Sequence, residues 1–164
     1  MWFHSDFDGI KIFLKISNYK NTNPDNWDEE WCYVDMTVQS KNWLNYKQSG
    51  ELLECYEIDI ILSQLEALTE NKIVERTEID FLEPDLKLIL IPILDNDTNT
   101  VIYYEAEFQV FFWNDGLTDN YLSLHMYDDD IDAFIIYLKY VTRKISKTDP
   151  SLQKLLDCGI LLKY

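Results

Sequence analysis

The stretch over residues 128–147 constrains the fold of this chain more than any other. Acidic residues gather at its start and basic residues at its end, an arrangement that the helix macrodipole favours. Its apolar side chains recur at spacings of three and four, which places them on one face of a helix. They are Ile131, Phe134, Ile135, Leu138, Val141 and Ile145. We therefore predict a long amphipathic helix over residues 128–147, around which the remaining elements pack.

Most of the remaining chain alternates apolar and polar residues, the period of a half-buried strand. The alternation is clearest over residues 10–17, 32–39 and 101–113. Residues 48–50 read as a turn between two short strands. The period changes over residues 58–72, which predicts a second amphipathic helix with Asp59 as N-cap and Asn71 closing it in the left-handed region.

These elements predict an α+β fold, a mostly antiparallel sheet of about eight strands with two long amphipathic helices packed on it. A further short helix follows Pro150 and ends near Gly159. The chain has 164 residues, among them five Trp, eleven Tyr and eight Phe. This length and aromatic content suit one globular domain over residues 1–164.

The net charge of −16, from 30 acidic and 14 basic residues, restricts the possible partners. Nucleic acid and an anionic membrane are excluded as expected partners, because their phosphates would be repelled. Two interpretations remain open. The acids either keep an aromatic-rich surface in solution or attract a basic protein partner.

Nothing in the sequence forms a catalytic or metal-binding motif. The three cysteines, Cys32, Cys55 and Cys158, form no C-x-x-C pair and are expected to be buried, inert thiols in a reducing compartment. His125 falls on the polar face of the last long strand without a sequence neighbour that could complete a site. The first twenty residues lack a signal peptide and no run is long enough to span a membrane, so we expect a cytoplasmic protein without a cofactor.

Two acidic patches are the candidate partner-binding sites. The first combines an aromatic anchor with carboxylates in a loop that is rich in turn formers. It consists of Asp25, Trp27, Asp28, Glu29 and Glu30. The alternative is a solvated loop whose Trp27 folds back onto the sheet. The second patch is Asp128, Asp129 and Asp130, for which helix capping is a sufficient explanation.

The order of several short motifs carries a family resemblance. Acidic residues precede Trp31 at the start of a strand, and a helix ends with Leu65 and Leu68. A Glu-Pro-x-Leu-x-Leu stretch follows at residues 83–88, and a leucine-rich helix closes the pattern near Leu138. In these features residues 10–145 resemble the WapI-type immunity proteins of bacterial polymorphic toxin systems. Cys32 departs from the pattern, because Leu is usual at that position.

The resemblance implies a non-catalytic immunity or inhibitor protein that binds and neutralises a cognate toxin, often a nuclease, with no catalytic residues to assign. Two other classes remain open. A small enzyme would show a deep pocket in which His125 meets cysteine or carboxylate groups of shifted pKa. A structural or scaffolding module would show a large apolar surface patch.

Overall fold

The computed structural model describes residues 1–21 and 30–163, and within them the chain forms nine strands and three helices. The strands are β1 (Trp2–Phe7), β2 (Ile10–Ser17), β3 (Trp31–Ser40), β4 (Leu44–Glu54), β5 (Thr77–Asp80), β6 (Leu86–Leu94), β7 (Val101–Trp113), β8 (Leu117–Met126) and β9 (Leu161–Leu162). The helices are α1 (Cys55–Thr69), α2 (Asp128–Val141) and α3 (Pro150–Asp157). The chain divides into a first unit, Met1–Asp59 with Ala133–Tyr164, and a second unit, Ile60–Asp132.

The first unit contains an antiparallel five-stranded sheet in the order β4-β3-β2-β1-β9. Alternate side chains of the central strands are buried, as the period-two pattern predicts. They are Ile12, Leu14 and Ile16 of β2, and Cys32, Val34, Met36 and Val38 of β3. Leu14 lies opposite both Phe3 and Met36, so three strands contribute apolar side chains to the same face.

The part of α2 that belongs to the first unit packs on this sheet through aromatic rings. The Phe134 ring lies 5.2 Å from that of Phe3, and the Tyr137 ring lies 5.6 Å from Phe3. The Tyr137 hydroxyl accepts a hydrogen bond of 2.8 Å from the backbone N–H of Ile16. The register of β1 with β2 ends at Phe3 opposite Leu14, so the tyrosine satisfies a donor beyond the paired region. Burial of the ring raises the pKa of Tyr137.

The second unit contains an antiparallel four-stranded sheet in the order β5-β6-β7-β8. One face carries most of the buried apolar residues, again at alternate positions, although Ile89 on the opposite face is also buried. The buried apolar residues of the first face are Leu86, Leu88, Leu90, Ala106, Phe108, Val110, Leu124 and Met126. The opposite face is hereafter the outer face, and it carries Glu78, Lys87, Ile89, Glu105, Glu107, Gln109, Phe111, Tyr121, Ser123 and His125 by register.

The predicted α+β class and antiparallel pairing are confirmed, but one sheet of about eight strands is wrong: the described residues form nine strands in two sheets. The predicted turn at residues 48–50 is also wrong, because β4 continues through it. Ser49 pairs with Asp35 and donates its hydroxyl to that carboxylate at 2.8 Å, while Gly50 pairs with Val34. A ten-residue neighbouring strand supplies ladder partners that outweigh the local turn preference of glycine.

The helix predicted over residues 128–147 is shorter in the structure, where α2 ends at Val141. Arg143 adopts a left-handed φ of 61°, and the N–H of Lys144 donates to the carbonyl of Lys139. A second bond, from Arg143 N–H to Tyr140, completes a Schellman motif that stops the helix. No helix in the described part of the chain is long and apolar enough to cross a membrane.

The other helix also differs from its predicted start. Helix α1 begins at Cys55, so Asp59 is not its N-cap; instead, the Asp59 carboxylate accepts the Tyr19 hydroxyl at 2.9 and 3.0 Å. The predicted end is confirmed, because Asn71 has a φ of 57° and donates its N–H to Leu68.

Candidate partner-binding surfaces

The first predicted patch falls largely outside the described residues. Asp25, Trp27, Asp28 and Glu29 lie in that segment, and only Glu30 of the patch is described. The Glu30 carboxylate forms a salt bridge with Lys20, and its backbone carbonyl accepts the Cys55 N–H at 2.8 Å.

The second predicted patch occupies the first turn of α2, as expected. The Asp130 carboxylate, at the third position of the helix, accepts the Tyr127 N–H at 3.3 Å, as the N3 residue of a capping box does. Asp128 and Asp129 are exposed. Partial desolvation and a hydrogen bond with Asp128 raise the pKa of Tyr103 to about 12. Capping therefore accounts for one of the three carboxylates, while the other two remain accessible to a partner.

The outer face of the second sheet holds a hydrogen-bonded polar network. Its centre is Glu107, whose Oε1 accepts from Gln109 Nε2 at 3.0 Å and from the Ser123 hydroxyl. Partial burial alone would raise the pKa of Glu107. The hydrogen bonds from Ser123 and Gln109, with the charges of His125 and Arg76 nearby, instead hold it below its usual value. The carboxylate therefore remains charged and fixed in orientation.

His125 occupies the outer face, as its position in the strand predicts. Its Nδ1 lies 3.8 Å from Glu105 Oε2, and its side chain is 51% exposed. In the pairing of β7 with β8, the residue opposite His125 is Glu107 and not a cysteine. This histidine is thus an exposed side chain beside the carboxylates of Glu105 and Glu107.

Negative charge is concentrated in the second unit. This unit carries 17 acidic and three basic residues, a formal charge of −14, whereas the first carries 13 acidic and 11 basic residues, a charge of −2. Each base of the second unit already has an acidic partner within it. Lys72 pairs with Glu70, Arg76 with Glu78, and Lys87 with both Glu78 and Asp80. The remaining carboxylates account for the formal charge of −14 of this unit.

Large apolar side chains are exposed within this acidic unit. Trp113 is 41% exposed and Tyr121 is 51% exposed, and both lie on the β7 and β8 strands that meet at a hairpin. The Tyr121 ring contacts Phe111 at 5.2 Å between centroids. Further along, Tyr127 is exposed directly before Asp128. These aromatics were not predicted as site residues, although each is adjacent in sequence to acidic residues or turn formers.

The cysteines follow the expectation only in part. Cys32 and Cys55 are fully buried free thiols in the first unit, with their sulfur atoms 3.3 Å apart. Burial, followed by the hydrogen bond with Cys55, raises the pKa of the Cys32 thiol. Cys158, at the C-cap of α3, is exposed and corrects the prediction that all three are buried. Across residues 1–21 and 30–163, no group of three or more potential ligands could hold a metal ion.

The described residues define an α+β protein with two antiparallel sheets, in which the second unit has most of the net negative charge and several exposed aromatic side chains. The sequence matches the model of the Immunity protein WapI-like family over residues 2–146, and the chain therefore belongs to that family. None of the curated proteins matches it significantly. Family membership associates the chain with toxin immunity.

Proposed function

We propose that this protein is a non-catalytic immunity protein that binds a cognate, basic toxin domain, such as a nuclease, and neutralises it by occlusion. The observation that carries the proposal is the concentration of charge in the second unit, −14 over Ile60–Asp132, in a member of an immunity family. A surface that holds nucleic acid is basic, so a nuclease toxin would complement this unit. We expect the complex to form in the cytoplasm of the cell that needs protection.

The charge distribution supports rapid association with a basic partner. A field of one sign can increase the association rate by about 10- to 1000-fold at low salt. All three basic residues of the second unit form salt bridges with carboxylates of that unit. Their positive charges are therefore offset and do not repel a basic partner as unpaired cations would. Asp128 and Asp129 are exposed parts of this field.

The exposed aromatics supply the short-range part of the interface. Trp113, Tyr121 and Tyr127 are exposed within the acidic unit, and Trp and Tyr are enriched among residues that dominate binding energy. We assign the main contact to the outer face, the β7–β8 hairpin and the start of α2. The loop patch of Asp25, Trp27, Asp28, Glu29 and Glu30 remains part of the proposal as an additional contact.

The geometry around His125 favours binding over catalysis. A general base works best with a pKa near the operating pH, whereas hydrogen bonds move the pKa of Glu107 away from that range. His125 is also an exposed side chain, with 51% of its surface accessible.

The test is calorimetric titration of the protein with the toxin domain encoded by the neighbouring gene, alongside an assay of toxin activity. We expect one-to-one binding tighter than about 1 μM and loss of toxin activity at equimolar ratio. Trp113→Ala and Tyr121→Ala should each weaken binding by about tenfold or more. The matched control is Trp43→Ala, because Trp43 is 68% exposed in the first unit. Absence of binding by the unmodified protein would refute the proposal.

A further inference from the structure

A groove of about 880 Å³ lies in the first unit. One wall is the end of β2 with the residues that follow it, and the other is the segment after α2. The Schellman motif at Arg143 turns that segment back on itself, since Lys144 and Ile145 both donate to the Lys139 carbonyl. The groove is lined by Met1, Lys15, Ile16, Ser17, Asn18, Tyr19, Tyr140, Val141, Arg143, Lys144, Ile145, Ser146 and Lys147.

The charged residues that line this groove are basic, whereas the chain as a whole is acidic. Four of the fourteen basic residues line the groove, and among residues 1–21 and 30–163 no acidic residue lines it, although acids outnumber bases by 30 to 14 in the whole sequence. Lys15 forms a salt bridge of 3.6 Å with Asp35. Arg143, Lys144 and Lys147 have no carboxylate partner within 4.0 Å among residues 1–21 and 30–163.

Stabilisation of the helix end explains only part of this cluster. Basic residues favour a helix C-terminus because they complement the macrodipole, which accounts for Arg143 and Lys144. Lys15 comes from a strand, and Lys147 lies beyond the last turn of α2. Lys15 and Lys147 nevertheless both lie near the α-amino group of Met1. Partial burial of this group, and then repulsion from the two lysines, lower its pKa.

Like charges gathered in one place repel each other, and a bound anion would offset that repulsion. We propose that this groove binds a small polyanion bearing two or more phosphates, of the size of a nucleotide or an inorganic polyphosphate. Lysine and arginine side chains bind phosphate oxygens, and this groove has three lysines and one arginine. The hydroxyls of Ser17 and Ser146 are additional donors there. Its volume lies within the range of about 300–1,000 Å³ that small-molecule sites occupy.

The site is independent of toxin neutralisation, so a separate measurement tests it. Sodium tripolyphosphate and ATP without divalent metal are each titrated into the full chain by calorimetry at low ionic strength. We expect one-to-one binding, and a thermal stabilisation larger than that given by sodium chloride at equal ionic strength. Absence of binding at millimolar concentrations of both probes would overturn the proposal.

Charge-removing variants locate the binding. We expect Arg143→Gln with Lys147→Gln to weaken binding at least tenfold, and Lys144→Gln with Lys147→Gln to do the same, because all three side chains are exposed at the groove. The matched control, Lys47→Gln with Lys154→Gln, removes the same charge from exposed positions of the first unit that do not line it. Equal weakening by the control would show nonspecific attraction, and tighter binding of a hexaglutamate peptide than of tripolyphosphate would show a peptide site; either result contradicts the proposal.

Discussion

The two units each contain an antiparallel sheet but differ in charge. Each contains an antiparallel sheet whose alternate residues form a buried apolar face, exemplified by Leu14 in the first unit and Leu88 in the second. The first unit nearly balances its charges, with 11 basic and 13 acidic residues, whereas the second has three basic and 17 acidic residues. Similar strand pairing therefore coexists with very different electrostatics.

The contrast between the units indicates that folding does not require the acidic excess. A sheet needs one apolar face to form a core, and that requirement leaves the opposite face free to vary. Repulsion among like charges destabilises the compact state, so the 17 acids of the second unit work against its stability. We infer that association with a basic partner offsets this disadvantage.

The largest expected effect comes from the core of the first unit. Phe134 is 3% exposed, and its ring contacts those of Phe3 and Tyr137. Phe134→Ala should lower the free energy of unfolding by about 3–5 kcal/mol, because it removes buried apolar area and leaves a cavity. Trp113→Ala, on the exposed aromatic surface of the second unit, should change it by less than about 1 kcal/mol. Denaturant unfolding measures both, and comparable losses would mean that Trp113 is a structural residue.

The next effect separates the location of charge from its amount. Asp128→Lys with Asp129→Lys should slow association with the toxin by about 10- to 100-fold at low salt, since it reverses exposed charges of the acidic unit. Glu51→Lys with Asp157→Lys makes the same change in net charge within the first unit and should slow it by less than about threefold. Stopped-flow association over a series of salt concentrations measures the difference. Equal slowing by the two pairs would make total charge, and not its position, the determinant.

The smallest expected effect concerns the polar network of the outer face. The pKa of Glu107 lies below its ordinary 4.5, because hydrogen bonds from Ser123 and Gln109 outweigh burial. Its carboxylate therefore contributes stability that is complete above pH 4.5 and is lost as the pH falls through the lowered pKa. Glu107→Gln should cost up to about 1 kcal/mol at neutral pH, and this deficit should shrink in acid. Urea unfolding across the pH range measures it, with Asp119→Asn as the matched loss of one acid; a constant deficit would contradict the assignment.

Much of the local structure could be predicted because it depends on neighbouring residues. The strand over residues 101–113 has the bounds that its alternation indicates, and Asn71 ends α1 in the left-handed region. Where tertiary partners compete with local preference, the prediction was wrong. Gly50 continues a strand because β3 offers a ladder partner, and α2 stops at Val141 although apolar spacing extends to Ile145.

The candidate site was less predictable than the fold. Asp128–Asp130 lie at the start of α2 as expected, but the exposure of Trp113 and Tyr121 depends on how β7 and β8 pair. The proximity of Lys15 to Lys147 likewise joins a strand to a segment far along the chain. Such contacts have no local sequence signal, since spacing along a chain does not report distance across a fold.

By itself, the sequence determined the α+β class, the antiparallel alternation, the acidic character and the resemblance to an immunity family. These properties follow from residue type and short-range spacing, which are independent of long-range packing. Three features appear only in the folded chain: the strands form two sheets, −14 of the −16 charge belongs to one unit, and four cations share a groove. Those features depend on which distant segments pair, and pairing is set by the combined burial and hydrogen bonding of the whole chain.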